Sequence, residues 1–294
     1  MKVGMIGLGL IGGSLAKSIR ANTDSTIYGS DLNPEVVNKA IEEKVLDYEL
    51  TKENASSIDL LIVTLYPKDV VSTIKEYVPY LHKGCIVLDS TGVKEFVCNA
   101  LSEELNSQGI YFIGGHPMAG KEVAGYENSD DQIFKRASMI LCKDEYTNEE
   151  AFNKVADFFE GIGFLRITKT TPKEHDKVIA FTSQMAHVVS NGYIKTDTLN
   201  ERYGFSAGSF KDLTRVAKLN EYMWADLFLY NREALLRELD IFMNNMEQYR
   251  TALRNEDKDE LVRLLGEGRV LKEEDNAKEE QAMKLAQELR VGKE

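Results

Sequence analysis

The sequence predicts an α/β chain in two parts: a doubly wound, mainly parallel sheet over residues 1–168, then an all-helical region over 169–294. Three observations carry this. Short apolar runs alternate with amphipathic helical patterns as far as about residue 167. A glycine-rich turn follows the first of those runs. The strand signal then stops after about Thr170. Strands alternating with helices imply a sheet covered on both faces.

The runs that read as strands are 3–6, 26–30, 60–65, 85–89, 111–114, 138–142 and 164–168. Between them, 11–21, 34–43, 68–81, 94–105 and 149–161 read as helices with one apolar face. Pro172 opens a long helical stretch, and a second, 223–253, carries apolar residues such as Trp224, Leu227, Phe228 and Leu236 around much of its circumference. A helix apolar over so wide an arc is covered on more than one side. A helical domain that also makes a subunit interface accounts for it. Residues 255–294 mix charges with sparse leucines and read as a solvated helical tail.

Composition narrows the partners. Hydrophobic residues make up 43% and charged residues 29% of the 294, the balance of a soluble globular protein. A net charge of -12 without a basic stripe argues against nucleic acid, and requires a local cation for any anionic ligand. The three cysteines form neither a CxxC pair nor an even set, and Cys85 and Cys142 lie in strand-like runs as buried thiols. A reduced, cytoplasmic chain is the expectation. The apolar N-terminus imitates a signal peptide, but glycines at 4, 7, 9, 12 and 13 would make a poor membrane helix. No later stretch is long enough to span a bilayer, so no membrane partner is expected.

The glycine turn carries chemistry. Gly7, Gly9 and Gly12, with Leu8, Leu10 and Ile11 between them, follow an apolar strand and open an amphipathic helix. This is the Rossmann-type fingerprint: a tight turn at the first glycine, backbone approach to a pyrophosphate at the second, helix–strand packing at the third. The helix N-terminus then offers N–H groups to phosphate. Asp31 follows Gly12 by 19 positions (31 − 12), where a carboxylate accepts from ribose hydroxyls. It would repel a 2′-phosphate, and Leu32-Asn33-Pro34 supplies no arginine, so NAD is favoured over NADP.

Among four histidines, His82 ends a predicted helix beside Lys83-Gly84 and reads as solvated. His116 lies in Gly114-Gly115-His116-Pro117, immediately after a predicted strand, where ligands of parallel sheets sit. It reads either as a general base or as a turn cap. His175 and His187 lie in the first long helix, twelve positions and so roughly 120° apart, and cannot share one face squarely. His175, beside Asp176 near the helix start, reads as structural. Arg215 suits a carboxylate ligand, or a salt bridge to Asp212.

Together these segments resemble the prephenate/arogenate dehydrogenase family of tyrosine biosynthesis, from residue 1 to about 250. The resemblance rests on GLGLIGGSLA at 7–16, GGHPMAG at 114–120, Glu174-His175-Asp176 through His187, GSFKDLTR at 208–215, and Met223-Trp224-Ala225-Asp226. It implies an NAD(P)-dependent oxidative decarboxylation, here expected to use NAD and to turn prephenate into 4-hydroxyphenylpyruvate, with arogenate as the alternative substrate. By resemblance His116 is the base, His187 and Arg215 bind substrate, Glu122 stands at the site entrance, and the helical domains pair as a homodimer. One departure is local. The family often reads Asp-x-Gly-Ser-x-Lys where this chain has Asp89-Ser90-Thr91-Gly92-Val93-Lys94. Gly92 stands at the serine position, so Thr91, Ser90 or a water takes over the hydrogen bond to the ring hydroxyl. Gln184 replaces a histidine of some members, with a bearing on substrate preference or tyrosine sensitivity. The regulatory domain that often ends the family has no counterpart after residue 255. Two other readings are a β-hydroxyacid dehydrogenase, with Lys177 or Lys211 as catalytic lysine, and a non-catalytic NAD-binding sensor.

Overall fold

Side chains alternate along the strands and feed two apolar cores. A computed structural model describes residues 1–121, 123–205 and 207–291; Glu122 therefore lies outside the described residues. The strands are β1 (Lys2–Ile6), β2 (Thr26–Ser30), β3 (Tyr48–Glu49), β4 (Leu60–Val63), β5 (Ile86–Asp89), β6 (Tyr111–Pro117), β7 (Ser138–Cys142) and β8 (Arg166–Thr170). They form one sheet in the order 3-2-1-4-5-6-7-8. Leu60, Ile62, Ile86 and Leu88 enter one core, while Leu61, Val63 and Val87 enter the other. Period-2 alternation with both faces apolar is what a sheet covered on both sides requires.

Helices α1 (Leu10–Asn22), α2 (Pro34–Glu42) and α5 (Glu149–Gly161) supply Leu15, Ala40 and Phe152 to the first core. Helices α3 (Pro67–Tyr77) and α4 (Glu95–Ser107) supply Ile74 and Leu101 to the second. Local signals start several of them: Asn33 caps α2 ahead of Pro34, and Asn148 accepts from the Ala151 N–H at the start of α5.

Pairing is parallel from β3 through β6, but β7 runs antiparallel to β6, and β8 parallels β7. This reversal lengthens β6. Its pairing with β5 ends at Asp89–Gly114, yet pairing with β7 continues through His116–Ile140 to Pro117–Met139. His116 thus lies inside a strand and not in the loop after it, a correction to the sequence reading. Glycine and proline around it suggest a turn, but tertiary pairing with β7 wins. Gly115 permits the close approach, since a Cβ there would stand 2.6 Å from Asp89 O.

After the sheet come α6 (Pro172–Ile179), a single wide π turn (Ala180–Gln184), α7 (Met185–Tyr193), α8 (Gly208–Thr214) and α9 (Glu221–Tyr230). Thr171 caps α6 ahead of Pro172. Helices α10 (Arg232–Arg254) and α11 (Lys258–Val291) complete the described chain. By compactness Met1–Leu235 is one unit and Leu236–Glu294 a second. The helices through α9 therefore belong to the same unit as the sheet. Within the second unit, α11 is laced by i to i+4 pairs such as Arg263–Glu267 at 3.1 Å and Arg269–Glu273 at 2.7 Å. Its α10 segment exposes Leu236, Ile241, Met243 and Met246. No described helix is long and apolar enough to cross a membrane. Cys85, Cys98 and Cys142 are free and buried, and burial pushes the Cys85 and Cys142 thiols up to about 12.

Candidate active site

The glycine turn has the shape a dinucleotide needs. Gly7 has φ +86°, a left-handed backbone that favours glycine. A Cβ on Gly12 would stand 2.0 Å from Gly7 O, so α1 and β1 can approach only with glycine there. Nothing lies within 4 Å of a Cβ built on Gly9, which leaves open space beside the N-terminus of α1. Thr64, at the end of β4, donates its hydroxyl to Gly7 O at 2.6 Å and pins the turn. Asp31 accepts from the Leu8 N–H at 2.7 Å and from the Asn33 N–H at 2.9 Å. The Leu8 amide is thus committed within the protein, Leu8 itself is buried, and Ile11 packs against the core beside half-buried Leu10.

His116 is the end of a hydrogen-bonded chain. Its Nδ1 lies 2.9 Å from His175 Nε2, and His175 Nδ1 lies 2.7 Å from Asp176 Oδ1. A carboxylate only accepts, so His175 Nδ1 carries a proton and His175 Nε2 accepts. His116 Nδ1 must then donate, which leaves the lone pair on His116 Nε2. Burial, then the facing His175 and the Lys94 ammonium, hold His116 well below the usual imidazole range. Burial also lowers His175, against the pull of Asp176. A neutral ring with a directed lone pair is equipped to take a proton.

The turn after β5 faces that lone pair. A Cβ on Gly92 would stand 3.8 Å from His116 Nε2 and 3.4 Å from Leu227 Cδ2. The hydroxyls offered in its place point elsewhere. Thr91 is buried: its hydroxyl hydrogen is shared between Asp89 Oδ2 at 2.6 Å and Val93 O at 2.9 Å, while its oxygen accepts from Lys94 Nζ at 3.1 Å. Thr91 thus braces the turn from inside, with its hydroxyl hydrogen and one of its two lone pairs engaged there. Ser90 donates to Val63 O at 3.3 Å.

His187, Trp224 and Arg215 form a second group. His187 Nδ1 donates to Val216 O at 3.0 Å, so its Nε2 carries the lone pair, and Trp224 lies on the ring at 3.7 Å between centroids. Burial lowers the His187 imidazole, and the positive charge of nearby Arg215 lowers it further. Helix α9 links the two groups: Trp224 covers His187, and Leu227, one turn on, lies beside Gly92. The π turn matters here. It absorbs one residue, removing about 100° of rotation, so His175 and His187 lie nearly in line. This corrects the reading that they cannot share a face. Gln184, within that turn, is 1% exposed and donates to Leu227 O at 3.2 Å, while its oxygen accepts from Asn231 at 2.8 Å. It therefore ties α9 to the π turn.

The structure thus sets Gly92 between His116 and Leu227 of α9, lays Trp224 of the same helix on His187 with Arg215 nearby, and keeps Asp31 with the glycine turn. Sequence reading missed His175, Asp176, Lys94 and Thr64 as parts of the site. A histidine next to an aspartate at a capped helix start was the available signal for the first pair.

Comparison with known proteins places this geometry. Residues 15–167 match a family model described as the prephenate dehydrogenase nucleotide-binding domain, and 171–267 match the prephenate dehydrogenase dimerization domain. A cyclohexadienyl dehydrogenase of Zymomonas mobilis is 33% identical over 273 residues, 88% of this chain and 91% of the relative. Arogenate dehydrogenase of Synechocystis is similar in structure, with a TM-score of 0.80 and 27% identity over 93% of this chain and 99% of that one. Prephenate dehydrogenase of Aquifex aeolicus, solved with hydroxyphenyl propionate and NAD+, also has a TM-score of 0.80, at 28% identity over 93% and 98% of the two chains. With its nucleotide turn, its histidine pair and both domain matches in one order, the chain belongs to the prephenate/arogenate dehydrogenase family of oxidoreductases.

Proposed function

We propose that the chain oxidises prephenate to 4-hydroxyphenylpyruvate and CO2, with NAD as cofactor. The observation that carries this reading is the Asp176–His175–His116 chain ending in a bare Nε2 beside Gly92. The open space at Gly9 and the carboxylate of Asp31 fit an adenosine diphosphate without a 2′-phosphate. NAD, when bound, accepts the hydride from the ring carbon that bears the hydroxyl.

The protein's own groups do the rest. His116 Nε2 takes the hydroxyl proton as the hydride leaves, so the C–O bond becomes a carbonyl. The imidazolium formed is held by His175, whose Nδ1–H leans on Asp176. Loss of the ring carboxylate as CO2 sends its electron pair through the ring to the carbonyl oxygen, which takes the proton back from the His116 imidazolium as the ring becomes aromatic. Arg215 and His187 stand opposite as the carboxylate-binding side. A homodimer through the helical residues of the dimerization-domain match is part of the same reading.

Arogenate is the second reading, because the Synechocystis relative is an arogenate dehydrogenase and the two substrates differ only in the side chain. Lysine chemistry of the β-hydroxyacid kind has no support: Lys177 is paired on the surface with Glu174 at 3.1 Å, and Lys211 is exposed. The decisive experiment follows NADH absorbance after adding prephenate or arogenate to protein and NAD. Faster turnover of prephenate is expected. Preference for arogenate moves the assignment to that substrate, and turnover of neither supports a cofactor-binding sensor.

A further inference from the structure

Lys94 is 0% exposed and makes no contact that substrate binding alone would explain. Its ammonium is ion-paired with Asp89, bonds Thr91 Oγ1 at 3.1 Å, and donates to Gly115 O at 2.7 Å. Gly115 is the residue before His116. The backbone N–H of Lys94 donates to Asp176 Oδ1 at 2.7 Å, and the next N–H, of Glu95, donates to Asp176 Oδ2 at 2.9 Å. Both oxygens of the carboxylate that orients His175 are thus held by the first turn of α4. The side chain of residue 94 holds the main chain of His116, and its backbone holds the far end of the relay behind the ring.

We propose that Lys94 is a positioning residue for His116, fixing the strand end through Gly115 O and the His175–Asp176 relay through its own N–H. The proposal rests on His116 being the base. Geometry alone gives two supports that converge on one ring, and only residue 94 takes part in both. Burying a cation is costly, and a structural pin between β5 and β6 would not require one. A cation there also opposes charge on His116. The other groups facing His116 are accounted for: Asp89 from β5, His175 and Asp176 from α6, apolar Ile140 from β7 and Leu227 from α9, with Cys142 of β7 a neutral thiol at about 12.

The test uses the full-length protein and three variants: K94M, the charge-neutral pair D89N/K94M, and T91V, which removes one acceptor of the ammonium and keeps the ion pair. Two readouts are taken, the pH profile of kcat and the 15N chemical shifts of the His116 ring. In K94M and the pair variant, kcat should fall about ten- to a hundredfold, the scale of a misplacement of about 1 Å. KM for NAD should stay within about twofold, and the acid limb and the ring titration should both move to higher pH, less in the pair variant, where loss of the Asp89 charge offsets part of the loss of the cation. T91V should lower kcat by less, with the ring titration little moved because both charges stay in place. If K94M does not fold, the pair variant decides; if neither folds, T91V decides. Wild-type kcat and an unmoved ring titration in the deciding variant would overturn the proposal. So would, in K94M or the pair variant, a fall in kcat with the ring titration and tautomer unchanged, which would mark Lys94 as a structural pin only. The ring spectra also separate this from the functional reading: if H116N keeps its activity, His116 is not the base, whatever Lys94 does to its titration.

Discussion

His116 and His187 are the same residue in two kinds of setting, and the contrast explains how the site divides its work. His116 is held by buried polar groups drawn from β5, α4 and α6, each satisfied by another. His187 leans on one backbone carbonyl and one indole, next to α8, which has no buried residue. A proton acceptor must be aimed, and a rigid, desolvated shell does that. A carboxylate-binding side needs charge within reach more than fixed direction, and a surface helix can supply it. The first setting should therefore control kcat, and the second KM.

Substitutions can break this division. The largest effect is expected from His116→Asn, a loss of kcat of about 10²–10⁴ with the urea midpoint nearly unchanged; a variant close to wild type in kcat would remove His116 from the base role. Next, Asp176→Asn should lower kcat about ten- to a hundredfold by unsettling the His175 tautomer, with substrate KM little changed. Arg215→Ala should do the reverse, raising substrate KM about tenfold to a hundredfold, the worth of one charge-assisted hydrogen bond. If Arg215→Ala lowers kcat and leaves KM alone, the two sides do not divide the work as argued.

The smallest effect is on stability. His116, His175 and His187 all have folded-state affinities for protons below the ordinary imidazole value of 6.5. Below that pH the unfolded chain binds more protons, so their contribution is intact above about 6.5 and is lost as pH falls below it. Urea midpoints measured at about pH 7.5 and about pH 5 should drop, and the drop should shrink in His116→Asn. An equal drop in both would assign it to carboxylates. The same sign places the acid limb of kcat/KM below 6.5.

How much of this was legible beforehand depends on range. Gly7, Gly9, Gly12 and Asp31 act within one strand–helix–strand stretch, and the sequence displays their spacing. The four-residue apolar runs of β4 and β5 announce themselves in the same way. Strand β3 did not, being only Tyr48–Glu49. The extension of β6 through His116 depends on Ile140 across the ladder, and Gly-Gly-His-Pro reads locally as a turn. The relay needs His116 and His175 to meet across 59 positions, which no periodicity reveals. The direction of the Thr91 hydroxyl was equally hidden, since a spacing names the oxygen without saying which way it points. The π turn left no mark either: Ala180-Phe181-Thr182-Ser183-Gln184 contains neither proline nor glycine.

That wide turn makes the two halves of the site depend on a count of residues. The rest of that helix through Tyr193, His187 included, is phased against His175 by one supernumerary residue, as a gear is by one tooth. Were the same residues wound as an ordinary helix, with none deleted, His187 would swing about 100° out of step. Such a chain would keep its cofactor and its base, and lose the side that holds the substrate.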